Sequence, residues 1–159
     1  MTEVMRPTVL IVDDSPTMRG MIRKALTEGG CQVLEAHDGV EGLEVLQSAQ
    51  IQAILTDINM PRMDGLAFIR AVRQDARFAR VPILALTTEG EADVKAAGKS
   101  AGATGWIVKP FDPKQLCEVI GMVVRRAASL KQSPSNTKPE GAANCYFALR
   151  ERGELPAMY

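Results

Sequence analysis

Aromatic residues and histidine are scarce in this chain, and its charges cancel. Only 4% of the 159 residues are aromatic, there is one histidine, and Lys plus Arg equals Asp plus Glu at 19 each. Without an excess of positive charge, the composition gives no reason to expect a nucleic-acid or anionic-membrane partner. Any function that depends on charge must therefore come from a local cluster of residues.

Cysteine is also too sparse for the common cysteine-based sites. Cys31, Cys117 and Cys145 are an odd number without a CxxC pair, which argues against a disulfide framework or a cysteine metal site. The first residues, MTEVMRPT, lack an apolar signal core, and no apolar run approaches the roughly 18 residues of a membrane span. We therefore expect a cytoplasmic protein without a membrane partner, and the single histidine, His37, at its surface.

Short β-rich runs alternate with helical patterns along most of the chain. The strand candidates are TVLIV (8–12), CQVLEA (31–36), AILTD (53–57), ILALT (83–87) and GWIV (105–108). Between them, apolar residues recur at the i, i+3, i+4, i+7 spacing of a helix with one buried face. This alternation predicts an α/β fold in which helices cover both faces of a parallel sheet.

The periodic pattern covers one domain and then ends. We assign residues 8–128 to that domain. Residues 129–159 include the polar, proline-containing stretch KQSPSNTKPEGAAN, and we expect them to form a linker and a flexible C-terminal tail.

Charged and hydroxyl side chains follow several of the predicted strands. Asp13 and Asp14 come after the first strand, Asp57 ends the third, Thr87 ends the fourth and Lys109 follows the fifth. Adjacent aspartates alone can be solvated turn residues, a helix cap, half of a metal site or part of a carboxylate pair. Because the carboxyl ends of parallel strands share one edge of the sheet, we expect these five side chains to converge.

Three carboxylates at one edge require protons or a cation, since two unit charges about 4 Å apart repel by roughly 4 kcal/mol at an effective dielectric near 20. An all-oxygen donor set favours a hard divalent ion, and a site completed by waters and phosphate suits Mg²⁺ better than Ca²⁺. Magnesium beside a lysine and a carboxylate indicates phosphoryl chemistry, in which the carboxylate can become an acyl phosphate.

These motifs resemble the two-component response-regulator receiver domain, and most of all single-domain chemotaxis regulators of the CheY type. The matching segments, in family order, are VDDS (12–15), LTDINMPRMDG (55–65), LTTE (86–89) and GWIVKPF (105–111). The resemblance implies a flavodoxin-like (βα)5 fold. Its sheet would have the strand order 2-1-3-4-5 that is typical of this family.

The resemblance also assigns roles at the predicted sheet edge. Asp57 would be the phosphoacceptor, and Asp14, Asp57 and the carbonyl of Asn59 would bind Mg²⁺. Asp13 would hold the metal mainly through water, and Lys109 would contact the phosphoryl group. The protein would thus be phosphorylated and dephosphorylated without being a turnover enzyme.

Further residues correspond to the family's switch. Thr87 would hydrogen-bond the phosphoryl group and shift inward, so that the aromatic side chain of Trp106 takes a buried rotamer. Pro110 would follow a cis peptide that directs the lysine before it. Asn59 and Glu89 occupy the positions that tune how fast water reaches the acyl phosphate, which suggests a short-lived signal.

The predicted fourth helix has an unusually small buried face, made of Val94, Ala97, Gly98 and Ala101. Because such residues bury little area, added charge at Asp57 can bias the position of this helix. We therefore predict an output surface on the fourth helix, the fifth strand and the fifth helix, in agreement with the resemblance.

The resulting hypothesis is a monomeric receiver that takes a phosphoryl group from a CheA-like histidine kinase. Its output would be a protein contact, with the flagellar motor switch as the leading target and no role for nucleic acid. A phosphate sink for the same kinase is an alternative. An aspartyl-phosphate phosphohydrolase lacks support because its DxD motif is absent, since Asp13 is followed by Asp14-Ser15, and a degenerate interaction module would not need the complete acid, hydroxyl and lysine set.

Overall fold

Strands and helices alternate along the chain in the computed structural model, which describes residues 6–87, 92–109 and 111–132. The strands are β1 (Thr8–Val12), β2 (Gln32–Ala36), β3 (Ala53–Asp57), β4 (Ile83–Thr87) and β5 (Gly105–Val108). The helices are α1 (Pro16–Glu28), α2 (Gly39–Ser48), α3 (Gly65–Gln74), α4 (Ala92–Ala101) and α5 (Pro113–Gln132), with a short 3-10 helix at Ala76–Phe78.

The five strands form one parallel sheet in the order β2-β1-β3-β4-β5. This confirms the α/β class and the strand order that the family resemblance implied. Four strands have the predicted bounds, whereas β2 begins one residue later than expected. The reason is local, because the backbone N–H of Cys31 donates to the carbonyl of Leu26 (2.9 Å) and so closes the turn after α1.

Alternate residues of the strands build two cores on opposite faces of the sheet. On one face, Ile11 and Leu55 pack with residues of α1 and α5 such as Ile22 and Ile120. On the other, Leu10, Val12 and Ile54 pack with residues of α2, α3 and α4, including Leu46, Phe68 and Ala101. Because β1, β3 and β4 are covered on both faces, their sequences are continuous apolar runs.

Side-chain caps fix where the helices start, at the carboxyl edge of the sheet. The Ser15 hydroxyl accepts from Met18 N (3.2 Å), and a proline occupies the first helical position. Asp38 caps α2 and Asp64 caps α3, each by accepting a backbone N–H three residues on. A Ser, Asp or Asn at this position satisfies amides that the helix itself leaves unpaired.

The small buried face predicted for α4 is present where its side chains are described. Gly98 and Ala101 are buried and Ala97 is half-buried, while the side chain of Val94 lies outside the described part. The C-terminal end of α4 is held from α3, because Arg73 Nε donates to the carbonyl of Gly102 (2.9 Å). Helix α4 thus buries only small side chains against the core, and a hydrogen bond from Arg73 holds its C-terminal end.

Helix α5 continues to Gln132, so residues 129–132 lie within the last helix. The remainder of the predicted linker and tail, residues 133–159, lies outside the described residues. Among the helices that are described, none combines the length and the apolar character needed to cross a bilayer.

Candidate functional site

Three carboxylates meet at the carboxyl edge of the sheet. Asp13, directly after β1, is fully buried, Asp57 is the last residue of β3 and is 8% exposed, and Asp14 faces solvent. One carboxylate oxygen from each lies within 4.8 Å of the other two. The convergence predicted from the strand ends is therefore present for all three acids.

Local hydrogen bonds fix the Asp13 backbone and one of its carboxylate oxygens. Oδ1 accepts from Ser15 N (2.8 Å), and Asp13 N donates to the carbonyl of Ala36 on β2 (3.1 Å). Arg19 of α1 donates through Nη1 to the Asp13 carbonyl (2.6 Å) and contacts Glu35 through Nε (3.3 Å). This arrangement leaves Oδ2 of Asp13 directed at the centre of the site.

Asp57 is held by an unusually close approach of helix α3. Its Oδ1 accepts from Ile58 N (2.8 Å), and Gly65 N donates to the Ile58 carbonyl (2.8 Å). A Cβ on Gly65 would lie 2.1 Å from the carbonyl oxygen of Asp57. Only glycine lets the start of α3 approach the backbone of β3 this closely.

Lys109 supplies the positive charge of the site. Its Nζ lies 3.4 Å from Oδ2 of Asp57 and 3.5 Å from Oδ2 of Asp13, and its side chain is 14% exposed. The backbone N–H of Lys109 donates to the carbonyl of Thr87 (2.7 Å), which continues the pairing of β5 with β4. One ammonium group thus bridges two of the three carboxylates.

The electrostatics leave room for a further cation. Burial, reinforced by the charge of Asp13, raises the pKa of Asp57 even though Lys109 opposes the shift. Oδ2 of Asp13 is buried and accepts no hydrogen bond from any described residue. An all-oxygen donor set with an unsatisfied buried carboxylate oxygen fits a hard divalent ion, and Mg²⁺ in particular when water and phosphate complete its shell.

The hydroxyl and aromatic residues lie on the neighbouring strands. Thr87 ends β4 and is 8% exposed, opposite Val108 of β5 in the sheet register. Trp106 is half-buried and packs against the core that lies between the sheet and α2, α3 and α4. The inward shift of Thr87 and the rotamer change of Trp106 stay predictions.

Among the other predicted site residues, the structure describes Asn59 alone. Asn59 is exposed in the segment between β3 and α3, two residues after Asp57. Glu89 and Pro110 lie outside the described residues, so their expected roles stay predictions.

The sequence reasoning missed one contact beside the site. Asp38 is buried, and its Oδ2 accepts from Nε of Arg62 (2.7 Å), a residue of the β3–α3 loop. The Asp-x-x-Glu spacing of Asp38 and Glu41 is a capping-box pattern that could have located the start of α2. Neighbouring His37 is exposed, as expected, and its ring pairs with Glu41 (2.6 Å).

Comparisons with known proteins agree with this geometry. The family model described as "Response regulator receiver domain" matches residues 9–121. The chemotaxis protein CheY1 of Helicobacter pylori is 46% identical over 119 residues, which cover 73% of this chain and 95% of that protein.

Two solved structures show the same likeness in three dimensions. The chemotaxis response regulator CheY4 of Vibrio cholerae has a TM-score of 0.69 at 41% identity, covering 77% of this chain and 99% of that one. The receiver domain of the sensor histidine kinase PA1611 from Pseudomonas aeruginosa, described with a magnesium ion coordinated in its active-site cleft, has a TM-score of 0.71 at 26% identity. That match covers 76% of this chain and 98% of the other.

Proposed function

We propose that this chain, which belongs to the response regulator receiver domain family, carries a phosphoryl group on Asp57 as a transient signal. The phosphorylated protein would transmit this signal by binding a partner protein. The observation that carries the proposal is the position of the Asp57 carboxylate. It lies 3.4 Å from Lys109 Nζ and inside a cluster of three acids. A phosphoryl group on Asp57 would meet the positive charge of Lys109 where it needs compensation.

The metal in this proposal is Mg²⁺, held by Asp13, Asp14 and Asp57 together with the carbonyl of Asn59. When bound, Mg²⁺ supplies positive charge that neutralises the phosphoryl oxygens and the crowded carboxylates. The magnesium ion named for the PA1611 receiver domain supports this assignment by similarity.

The protein residues perform the transfer. A carboxylate oxygen of Asp57 attacks the phosphorus of a phosphohistidine, the P–O bond forms, the P–N bond breaks, and the leaving imidazole takes up a proton. Lys109 stabilises the charge on the phosphoryl oxygens, and the Thr87 hydroxyl donates a hydrogen bond to one of them. Water later hydrolyses the acyl phosphate, so the protein returns to its starting state without turning over a substrate of its own.

We place the output on α4, β5 and α5. Helix α4 has the thinnest buried face among the side chains described, and Trp106 of β5 lies half-buried beside it. The relatives named as chemotaxis proteins favour a CheA-like histidine kinase as donor and the flagellar motor switch as target, in the cytoplasm. In this assignment the chain acts as a monomer.

Intact mass measurement with acetyl phosphate and Mg²⁺ tests the acceptor. We expect the wild type to gain one phosphoryl group that decays with time, whereas Asp57→Asn gains none. Equal labelling of Asp57→Asn, or no labelling of the wild type, would contradict the proposal. Asp75→Asn, a change at a half-buried acid that pairs with Arg77 on the loop after α3, is the matched control and should label like the wild type.

A second measurement separates a motor regulator from a phosphate sink. The phosphorylated chain should bind a peptide from a flagellar motor switch protein more tightly than the unphosphorylated chain does. A sink would discharge the kinase without any such difference. Steady release of phosphate from monoesters, in place of one labelling event, would indicate a phosphohydrolase.

A further inference from the structure

Asp38 is a buried carboxylate outside the three-acid cluster. It is 1% exposed and its two oxygens have separate tasks. Oδ1 caps α2 by accepting from Glu41 N (2.9 Å), while Oδ2 accepts from Arg62 Nε (2.7 Å). The Arg62 hydrogen bond holds the pKa of Asp38 below its ordinary value, so the carboxylate is ionised at neutral pH and the contact is a true ion pair.

Arg62 has a backbone conformation that an arginine does not adopt without support. Its φ angle is +62°, in the left-handed region, which is unfavourable for an L-residue with a Cβ and readily adopted by glycine. Arg62 lies in the loop of residues 58–64, between Asp57 and the start of α3. The pair with Asp38 is therefore available to hold this loop in a conformation that it would not choose alone.

A second contact joins the same two segments. A Cβ on Gly39, the first residue of α2, would lie 2.8 to 3.0 Å from side-chain atoms of Met63. Met63 follows Arg62 directly, and its N–H donates to the Pro61 carbonyl (2.6 Å). The junction between β2 and α2 thus grips the middle of the β3–α3 loop at two neighbouring residues.

The other end of this loop carries the proposed metal ligand. Asn59 follows Asp57 by two residues and precedes Arg62 by three, and its backbone carbonyl is directed only by the path of the loop. The contact of Gly65 with Ile58 anchors the ends of the loop, whereas the Asp38–Arg62 pair, together with the packing of Met63 on Gly39, holds its middle.

We propose that Asp38 and Arg62 act as positioning residues for the magnesium site, by holding the 58–64 loop so that the Asn59 carbonyl faces the three carboxylates. The inference rests on the proposed function for the identity of the metal. In this inference the ion pair neither binds the metal nor accepts the phosphoryl group, and it acts only by fixing the conformation of the loop.

Calorimetric titration of the full chain with MgCl₂ at neutral pH provides the test. Arg62→Ala should raise the Kd for Mg²⁺ about three- to fivefold, the range expected for loss of a partly exposed ion pair. Arg62→Lys keeps the charge and should recover part of the affinity. Arg77→Ala is the matched control, because Arg77 also pairs with an aspartate at 2.7 Å with a half-exposed side chain, but at Asp75 and away from the site.

Two further variants keep the inference falsifiable. Asp38→Asn retains a helix cap but removes the negative charge, and it should weaken Mg²⁺ binding as much as Arg62→Ala does. Arg62→Gly removes the pair together with the cost of the left-handed backbone, so it should recover part of the affinity that Arg62→Ala loses but remain weaker than the wild type. If Arg62→Gly binds like the wild type, backbone conformation alone controls the loop and the ion pair has no positioning role.

The outcomes distinguish this inference from the proposed function. If the wild type binds Mg²⁺ and both Arg62→Ala and Asp38→Asn keep a Kd within twofold of it, the positioning role is refuted while the phosphoacceptor proposal stands. If the wild type binds no Mg²⁺, the proposed function itself fails.

Discussion

Replacing Asp57 by asparagine should stabilise the protein in the absence of Mg²⁺. Two unit charges within 4.8 Å of each other repel by about 3 kcal/mol or more at an effective dielectric near 20, and burial adds a desolvation cost. The attraction of Lys109 at 3.4 Å offsets about 5 kcal/mol on the same scale. Because the pKa of Asp57 is nonetheless raised, the destabilising effects prevail, and we expect a net gain of about 1 to 3 kcal/mol.

Urea unfolding followed by the fluorescence of Trp106, the single tryptophan, measures this change. With EDTA present, the unfolding midpoint of Asp57→Asn should exceed that of the wild type. With Mg²⁺ at a hundredfold excess over its Kd, the wild type should gain about 2.7 kcal/mol. Asp57→Asn should gain much less, so that the difference in free energy of unfolding between the two proteins becomes smaller or changes sign.

The control is Asp64→Asn, which removes a charge from an exposed helix cap and keeps a good capping residue. It should leave both the stability and its magnesium dependence close to the wild-type values. Two results would contradict this reasoning: Asp57→Asn is less stable than the wild type in EDTA, or Mg²⁺ stabilises both proteins equally. In either case, repulsion among the three acids does not destabilise the protein in the way that Mg²⁺ binding would relieve.

Three further substitutions test contacts around the site by urea unfolding. Gly65→Ala should lower the free energy of unfolding by about 3 kcal/mol, because the new Cβ would lie 2.1 Å from the Asp57 carbonyl oxygen. The control Gly20→Ala, whose Cβ would have nothing within 4 Å, should raise it by up to about 1 kcal/mol, and equal effects of the two changes would contradict this. Because the pKa of Asp38 is lowered in the folded protein, its ion pair contributes stability that is fully present above the unfolded pKa near 3.9 and is lost as the pH falls further. Below about pH 5 the wild type should therefore lose more stability than Asp38→Asn, and parallel pH profiles would refute the ion pair. Arg73→Met should cost about 2 kcal/mol, since Arg73 donates to three backbone carbonyls; an unchanged midpoint would show that these bonds add nothing.

The strands and the site edge could be predicted because their information is local. A buried parallel strand needs a continuous run of apolar residues, and the residue at its end must emerge at the carboxyl edge of the sheet. Asp57, Thr87 and Lys109 are placed by this rule alone. The resemblance then supplied the strand order, which periodicity does not contain.

Contacts between distant segments could not be predicted. Asp38 and Arg62 are 24 residues apart, and both are ordinary polar residues in loop-like sequence. Their pairing depends on the left-handed backbone at Arg62, which no pattern of hydrophobicity specifies. The same holds for Arg73, where burial lowers the pKa to about 10 because the guanidinium lies between the ends of two helical segments. Such contacts depend on tertiary geometry, which the local pattern does not encode.

The contacts of Gly65 and Arg73 hold α3 and α4, which cover the same face of the sheet, in two different ways. Helix α3 rests directly on the backbone of Asp57 and has no space to approach further. Helix α4 is fastened at Gly102 and has little core beneath it. If phosphorylation at Asp57 moves one of these helices, we expect α3 to stay in place and α4 to rotate about its C-terminal end at Gly102. A partner protein would then respond to the orientation of α4 and not to a translation of the whole helix.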